Sequence, residues 1–304
     1  MIPELKNNRD VQLQTIANSN GANANQNLET FGFKYATTDP KIILEDPLIN
    51  AVVIATRHNT HADLTARALS AGKCVFVEKP LALTENEINQ IIEAKNKSPS
   101  TFFQVGFNRR FAPMILKIQS QLSSELSPKF INIRVNAGAI PSNHWIHKPN
   151  QGGGRILGEV CHFVDLARFF ANSPITSVYG EASNGNSLTC DNVIVSLTFA
   201  NESLATILYT AHGDMSEGKE YYEIFSGGKN FKLNDFRELE ITKPKRIYEK
   251  IRTQDKGHHS SINAFINAVK DQGPAPISQS ELIETTSSTI SILTSIKSGK
   301  RITL

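Results

Sequence analysis

Two short runs that are apolar at every position, Ala51-Val52-Val53-Ile54-Ala55 and Cys74-Val75-Phe76-Val77, restrict the fold of this chain more than any other feature. A strand that is greasy on both faces is stable only when helices cover both of its sides, as in a parallel sheet. The intervening segment supplies such a helix. It runs from about Thr60 to Ser70, keeps Ala62, Ala66 and Leu69 on one face, and has Gly72 placed as a left-handed cap at its end. Thr84 with Glu87 then forms a capping box that opens a helix to about Lys97, and Phe102 to Val105 reads as the next strand. An earlier strand is marked by Val11, Leu13 and Ile16, so strand and helix alternate from residue 11 to about 107.

From residue 129 the rhythm changes. Strands follow one another at 129 to 137, 177 to 182, 191 to 199, 203 to 211 and 219 to 226, the pattern of an antiparallel sheet. A helix-period segment from about Ile156 to Ala171 interrupts them, and helical pieces close the chain near 259 to 271 and 279 to 298. The expected fold is therefore α/β: a Rossmann-type parallel sheet domain over residues 1 to 108, then an α+β domain with a mainly antiparallel open sheet over 109 to 304. The C-terminal helices are candidates to pack back on the first domain.

Composition excludes several functions. With 32 basic and 29 acidic side chains the net charge is +3, which leaves no general footprint for nucleic acid. One local basic run, Lys243, Lys245, Arg246, Lys250 and Arg252, contains Glu249 and reads as a solvated loop. Cys74, Cys161 and Cys190 lie far apart with no Cys-x-x-Cys, so neither a disulfide framework nor a zinc knuckle is encoded, which fits a reducing cytoplasm. The longest apolar strings reach about a quarter of the ~20 residues a bilayer needs, and no secretory signal is visible.

Ligands of an open parallel sheet bind beyond the carboxyl ends of its strands, where loop backbone and helix N-termini converge. That rule selects Thr56, Arg57, His58, Asn59 and His61 after one strand, Glu78, Lys79 and Pro80 after the next, and Gly106, Phe107, Asn108, Arg109 and Arg110 after the third. A lysine between a carboxylate and a proline at the end of a buried strand is held rigidly, and burial moves a lysine toward the range useful for proton transfer. Position alone leaves a second reading open, a surface lysine paired with Glu78.

A second cluster runs Gly152-Gly153-Gly154-Arg155-Ile156-Leu157-Gly158-Glu159-Val160-Cys161-His162-Phe163-Val164-Asp165. Glu159 and His162 are three apart on a helix and share a face. That histidine also reads as a packed core residue, and one Glu-x-x-His pair is a weak metal signal. His144 and His147 nearby could add ligands only if the fold brought them together, so no metal is expected.

Glu78-Lys79-Pro80 after a Val-rich strand, Asn59-Thr60-His61 after the preceding one, and Gly-Gly-Gly followed eight residues later by His162 together resemble one family. It is the Gfo/Idh/MocA family (glucose-fructose oxidoreductase, inositol dehydrogenase and MocA) of nicotinamide-dependent sugar and polyol oxidoreductases. The resemblance runs from about residue 5 to the end, including Gly257-His258 and Gly299-Lys300-Arg301-Ile302. Gly106 to Phe111 and Gly154 to Glu159 look like a subgroup tied to bacterial surface-polysaccharide synthesis, sometimes fused behind a zinc-type alcohol dehydrogenase domain. The resemblance implies NAD or NADP as cofactor, a sugar, polyol or nucleotide-sugar substrate, and homo-oligomer contacts through the open sheet. It gives Lys79 the proton of the reacting hydroxyl and His162 a share in orienting it, with Glu159 as a third catalytic candidate. Asn18, Thr56, Arg57, Asn59, His61, Glu78, Lys79, Pro80 and Asn108 would line the cofactor. Pro80 is expected to follow a cis bond.

Two departures stand out. The family usually has an aspartate four residues before its histidine; here that position is Gly158, with Glu159 beside it. One residue turns a helical side chain by about 100°, so Glu159 cannot stand in without a shift. The family also opens on a strand and a Gly-x-Gly-x-x-Gly turn that holds the pyrophosphate, whereas the glycines of residues 1 to 110 are 21, 32, 72 and 106. A first strand is therefore expected to be missing, with a native chain that carries upstream residues. Asn18 stands where an acidic ribose ligand is expected, which leaves NAD and NADP equal. The alternatives are a non-catalytic binding or structural subunit of the same fold, and a metal-dependent hydrolase built on Glu159 and His162.

Overall fold

The structure is a computed structural model that describes residues 1–183, 191–242 and 245–304; Cys190 and Lys243 lie outside the described residues. Strand and helix alternate through the first third: α1 (Ile2–Asn7), β1 (Thr15–Ala17), α2 (Gly21–Phe31), β2 (Tyr35–Thr37), α3 (Pro40–Glu45), β3 (Ala51–Ile54), α4 (His61–Ser70), β4 (Cys74–Val77), α5 (Glu85–Lys97) and β5 (Phe103–Val105). β3, β4 and β5 form a parallel sheet in that order, with Ala51 opposite Cys74 and Val75 opposite Phe103. Ile54, Val75, Val77 and Val105 are buried together with Leu69, Ile88 and Ile91 of the covering helices.

The helix ends follow local chemistry. Thr84 accepts from the Glu87 N–H while the Glu87 carboxylate accepts from the Thr84 N–H, so two orphan amides at the start of α5 are satisfied reciprocally. Gly72, at φ 75°, follows α4 in the left-handed conformation expected for it.

The sequence did not announce α2, β2 and α3. Asn20 caps α2 by accepting from the Ala22 and Asn23 amides, a signal that the Asn-rich composition obscured. β1 is shorter than expected, because Val11 and Leu13 pack beside Leu5, Phe76 and Ile262 instead of entering a ladder. β1 and β2 pair in parallel as a separate two-stranded sheet, and no ladder joins them to β3 among the described residues.

Beyond β5 come a 3₁₀ turn at Asn108–Phe111, α6 (Pro113–Leu122) and β6 (Phe130–Asn136). A π-helical turn, Ile156–Val160, runs into α7 (Cys161–Ala171), followed by β7 (Ile175–Ala182), β8 (Val193–Phe199), β9 (Leu204–Thr210), β10 (Glu220–Ser226), β11 (Lys229–Asn234), β12 (Glu238–Ile241) and β13 (Ile247–Lys250). α8 (His258–Lys270), α9 (Gln279–Ser298) and β14 (Ile302–Thr303) close the chain. The sheet order is β13-β12-β11-β10-β6-β9-β8-β7-β14, antiparallel throughout except for the parallel β6–β9 pair. All five strands read from alternation are present, each within about two residues of the expected ends.

One face of this sheet holds the core. Ile131, Ile133 and Val135 of β6 and Val195 and Leu197 of β8 are buried with Ile115 and Ile118 of α6 and Phe163, Val164 and Phe170 of α7. The alternate residues Phe130, Ile194, Leu204 and Leu208 are exposed on the other face. α9 crosses β7 at Gly180, where a Cβ would stand 2.9 Å from Ile292 Cγ2 and 3.3 Å from the Ile292 carbonyl, so only glycine admits the helix this closely. α8 lays Phe265 edge-on against Phe76 and Phe102 at 5.6 Å, covering the outer side of the parallel strands.

The basic run corrects one expectation. Ile247–Lys250 is the edge strand β13 and not a loop, with Lys250 paired to Glu238 and Arg246 to Glu240. Charged edges of this kind discourage further strand addition. Among the described residues no helix is long and apolar enough to cross a membrane.

Candidate active site

Lys79 leaves the buried strand β4 two residues after Val77, and its bond to Pro80 is cis, as expected. Its ammonium donates to the Gly158 carbonyl at 2.6 Å, inside the π-helical turn. A π turn interrupts the regular i→i−4 ladder and makes backbone oxygens available to other donors. This contact joins the Glu78-Lys79-Pro80 segment to the helix that carries His162. Lys79 is therefore not a surface lysine paired with Glu78.

Gly158 has its own constraint. A Cβ there would stand 2.8 Å from His58 Cε1 and 3.2 Å from Ile146 Cδ1. No side chain fits at this position unless His58 moves. His58 is buried, its Nδ1 lies 2.7 Å from the Gly152 carbonyl, and its ring meets Trp145 edge-on at 4.8 Å. Burial lowers its pKa to about 4, with the Lys79 charge acting in the same direction.

The carboxylate of the cluster is Glu159, one position along. Its Oε2 accepts from the Tyr209 hydroxyl at 2.7 Å and lies 3.7 Å from Lys219 Nζ, while Oε1 lies 3.3 Å from Arg155 Nε. Burial works against its charge, yet Lys219, Arg155 and the Tyr209 hydrogen bond together hold its pKa below the ordinary value. Arg155 is nearly sealed. It donates to the Gly138 carbonyl at 2.7 Å, lies 3.4 Å from Asp191 Oδ2, and stacks over Tyr209.

His162, at the first turn of α7, is buried against Phe107 and Phe163, and its Nδ1 has no hydrogen-bond partner. Burial, then the charges of Arg109 and Lys79, push its pKa well below the ordinary value, so the ring is neutral. Burial lowers the His61 pKa, while the Pro80 carbonyl at Nδ1 (2.8 Å) and the Thr56 carbonyl at Nε2 (3.1 Å) act in the opposite direction. The Lys79 charge acts on Glu78, His58, His61, Glu159, Cys161 and His162. Cys161, pushed up to about 12 by burial, is an unreactive thiol there.

The remaining candidates divide. Glu78 and Asn108 line a cavity of about 70 Å³ beyond β4 and β5, together with Gly106, His258 and Ser261. Burial raises the Glu78 pKa. Asn108 donates to the Lys256 carbonyl at 2.6 Å. Thr56 bonds Thr60, Arg57 donates to Gln151 at 2.7 Å and lies over Trp145, and the Asn59 amide donates to the Gln151 carbonyl. These contacts dock the loop around Trp145 and Gln151 onto the turn after β3. Asn18 directly follows β1, and its side chain accepts from the Asn20 amide.

Arg109 and Arg110 anchor the turn. Arg109 makes two bonds to Glu220, at 2.8 and 2.7 Å, and stacks over Phe163, while Arg110 Nε bonds Asp165 at 2.9 Å and its guanidinium also reaches Glu281. Tyr209, near the end of β9, and Lys219, just before β10, were not legible as site residues from the sequence, yet both reach Glu159. His144 accepts from the Ile146 amide, His147 lies 3.7 Å from Asp191, and no three metal-binding side chains gather among the described residues.

The chain is similar to known proteins in both of its halves. A family model described as an oxidoreductase family with an NAD-binding Rossmann fold matches residues 1–107, and one for the GFO/IDH/MocA C-terminal domain matches residues 127–226. Scyllo-inositol 2-dehydrogenase (NAD(+)) of Bacillus subtilis is 35% identical over 52% of this chain and 45% of its own length. Myo-inositol 2-dehydrogenase of Thermotoga maritima is 29% identical over 59% and 55%. The matched part thus spans about half the length of these curated relatives. A probable dehydrogenase from Thermotoga maritima has the same fold, with a TM-score of 0.85 at 23% identity over 99% of this chain and 94% of its own. A levoglucosan dehydrogenase in complex with NADH and levoglucosan aligns at a TM-score of 0.85 and 21% identity, over 99% and 94%. With two domain models of one family matched in chain order, this chain belongs to the Gfo/Idh/MocA oxidoreductase family.

Proposed function

We propose that the chain is an oxidoreductase that exchanges a hydride between NAD or NADP and a carbinol carbon of a sugar, polyol or nucleotide-sugar, with NAD favoured by the family description and by the NADH complexes of levoglucosan dehydrogenase. The observation that carries the reading is the 2.6 Å contact between Lys79 Nζ and the Gly158 carbonyl, which joins the Glu78-Lys79-Pro80 segment to the helical stretch that carries Glu159 and His162.

In this reading Glu78, Gly106 and Asn108, which line a cavity with Met1, Glu4 and His258, would hold the nicotinamide end of such a cofactor, and the unpartnered, buried His162 Nδ1 is a ring nitrogen open to a ligand. When bound, nicotinamide accepts or donates the hydride at its C4. Lys79 carries the matching proton: in oxidation its amine takes the hydroxyl proton as the carbon–hydrogen bond breaks, and in reduction its ammonium returns it. His162, neutral and with a free ring nitrogen, orients the hydroxyl. Phe107 and Phe163 keep water from that ring. Glu159, ionised and held from three sides, sets the charge against which Lys79 works.

The division into a cofactor domain over 1–108 and a second domain over 109–304 belongs to the same proposal. So does a homo-oligomer formed through the exposed apolar side chains of the nine-stranded sheet, Phe130, Ile194, Leu204 and Leu208. Surface-polysaccharide synthesis is proposed on the resemblance of Gly106 to Phe111 and Gly154 to Glu159, and a cytoplasmic setting on the scattered cysteines, which fit a reducing compartment.

One observation favours a second reading, a binding subunit without turnover: these 304 residues contain no Gly-x-Gly-x-x-Gly turn for the pyrophosphate. Calorimetric titration with NAD(H) and NADP(H) separates the two. Binding of either nucleotide, with NADH or NADPH formed from myo-inositol, scyllo-inositol, levoglucosan or another polyol, supports the oxidoreductase. No binding of either nucleotide overturns it.

A further inference from the structure

His58 opens the 3₁₀ turn His58–Thr60 after β3 and is buried. Its ring meets a backbone segment of the second half of the chain at two points. Nδ1 lies 2.7 Å from the Gly152 carbonyl, and Cε1 lies against Gly158, where a Cβ would stand 2.8 Å away. A carbonyl oxygen only accepts, so Nδ1 carries the ring proton and donates to Gly152, which fixes the tautomer. One ring thus spans both ends of the stretch 152–158, and the carbonyl at the far end of that stretch is the one that holds Lys79.

The stretch has little of its own to hold it. Glycine brings the most backbone freedom to a chain, and Gly152, Gly153 and Gly154 come in succession just before the π-helical turn Ile156–Val160. Gly153 and Gly154 are left-handed, at φ 68° and 82°. At Gly152 a Cβ would stand 2.3 Å from Ile146 Cα, so no side chain can lock that end. The neighbours of His58 tie the same turn to the same loop, Arg57 to the Gln151 side chain at 2.7 Å and the Asn59 amide to the Gln151 carbonyl at 3.1 Å. Those bonds stop at residue 151. The His58 ring, backed edge-on by Trp145, goes on to Gly152 and Gly158.

We propose that His58 is a positioning residue: by donating to the Gly152 carbonyl and packing on Gly158 it holds the Gly158 carbonyl where Lys79 bonds it, and so sets the reach of the Lys79 amine. Its effect on turnover rests on the oxidoreductase reading, while the clamp itself is a property of the chain without ligand. Two amides separate the hydrogen bond from the bulk of the ring. Asn places its NH₂ near the Nδ1 position of a histidine and can still donate to Gly152, whereas the longer Gln places it near Nε2 and cannot. Phe keeps the ring and donates nothing.

The test labels the full, ligand-free chain with acetic anhydride and reads Lys79 against Lys73 by mass spectrometry. Lys73 is the internal standard, because it is buried in the same sheet domain and also donates to a backbone carbonyl, that of Asp46, at 2.6 Å. General loosening of the domain speeds both lysines and leaves their ratio alone. In His58→Phe and His58→Gln the Lys79 to Lys73 ratio is expected to rise about threefold or more as the bond to Gly158 loosens, and in His58→Asn to stay near the native one. Should His58→Phe not fold, His58→Gln carries the same expectation. Turnover is followed with NAD and myo-inositol, scyllo-inositol or levoglucosan: kcat should fall about tenfold in the Phe and Gln variants with KM within about twofold, and recover in His58→Asn. A ratio unchanged in His58→Phe and His58→Gln, or one that rises as much in His58→Asn, overturns the proposal. A raised ratio with no NADH formed by the native protein would leave the clamp standing and remove the redox reading, whereas native turnover in His58→Phe with an unchanged ratio would do the reverse.

Discussion

Lys79 Nζ and the Gly158 carbonyl oxygen lie 2.6 Å apart although 79 positions separate them in the chain. The contact spans the end of a parallel strand and a π-helical turn, two elements with no sequence pattern in common. Because it ties the ammonium to the turn that runs into the helix of His162, removal of Lys79 should act on chemistry and hardly on cofactor binding. Lys79→Met is expected to lower kcat by about 10² to 10⁴, the range of a lost general acid–base. NAD affinity measured by calorimetry should stay within about threefold. A variant with native kcat would remove Lys79 from the proton relay.

Position 158 tests how tightly His58 is held. Gly158→Ala places a methyl 2.8 Å from His58 Cε1, and crowding of this kind costs about 1 to 3 kcal/mol. In Gly158→Ala with His58→Ala the two changes should be less than additive, because the second creates the space that the first needs. Urea denaturation of the four forms measures the coupling; full additivity would show that the two side chains do not meet.

Tyr209→Phe keeps the ring over Arg155 and deletes only the hydroxyl that donates to Glu159. A hydrogen bond to a charged group is worth about 1.5 to 3 kcal/mol, and a loss of stability in that range is expected from chemical denaturation. A stability equal to that of the native protein would mean that Arg155 and Lys219 alone satisfy the carboxylate.

Acid should release the Arg109 anchor. Glu220 is fully buried, and although burial opposes its charge, Arg109 and Lys256 hold its pKa down at about 2, against an ordinary value of 4.5. A carboxylate whose folded pKa is depressed contributes stability that is fully present above pH 4.5 and is lost as pH falls toward 2. In Glu220→Gln the slope of stability against pH between about 4.5 and 2 should be shallower, while stability at pH 7 falls by about 3 to 5 kcal/mol because two cations lose their buried partner. An unchanged slope in thermal melts across that window would assign the acid lability to other groups.

Much of this protein follows from its residues taken in order. The all-apolar runs 51–55 and 74–77 dictated buried parallel strands, because an unbroken apolar strand must be covered on both faces. Thr84 with Glu87 set a helix start, and period-two alternation placed five strands of the second sheet. β11 to β13, by contrast, are short and rich in Lys, Glu and Asn, so their pattern reads equally well as loop until neighbouring strands supply the hydrogen bonds. Lys79, Glu159 and His162 were visible as candidates from motif and position. The tertiary structure alone decided what each one touches: Lys79 to a backbone carbonyl and not to Glu78, and Glu159 to Arg155, Tyr209 and Lys219. The physical reason is range. Periodicity and capping are local interactions within a few residues, while the partners of a buried charge are chosen by which strands pair and which helices cross, and no stretch of this sequence encodes that by itself.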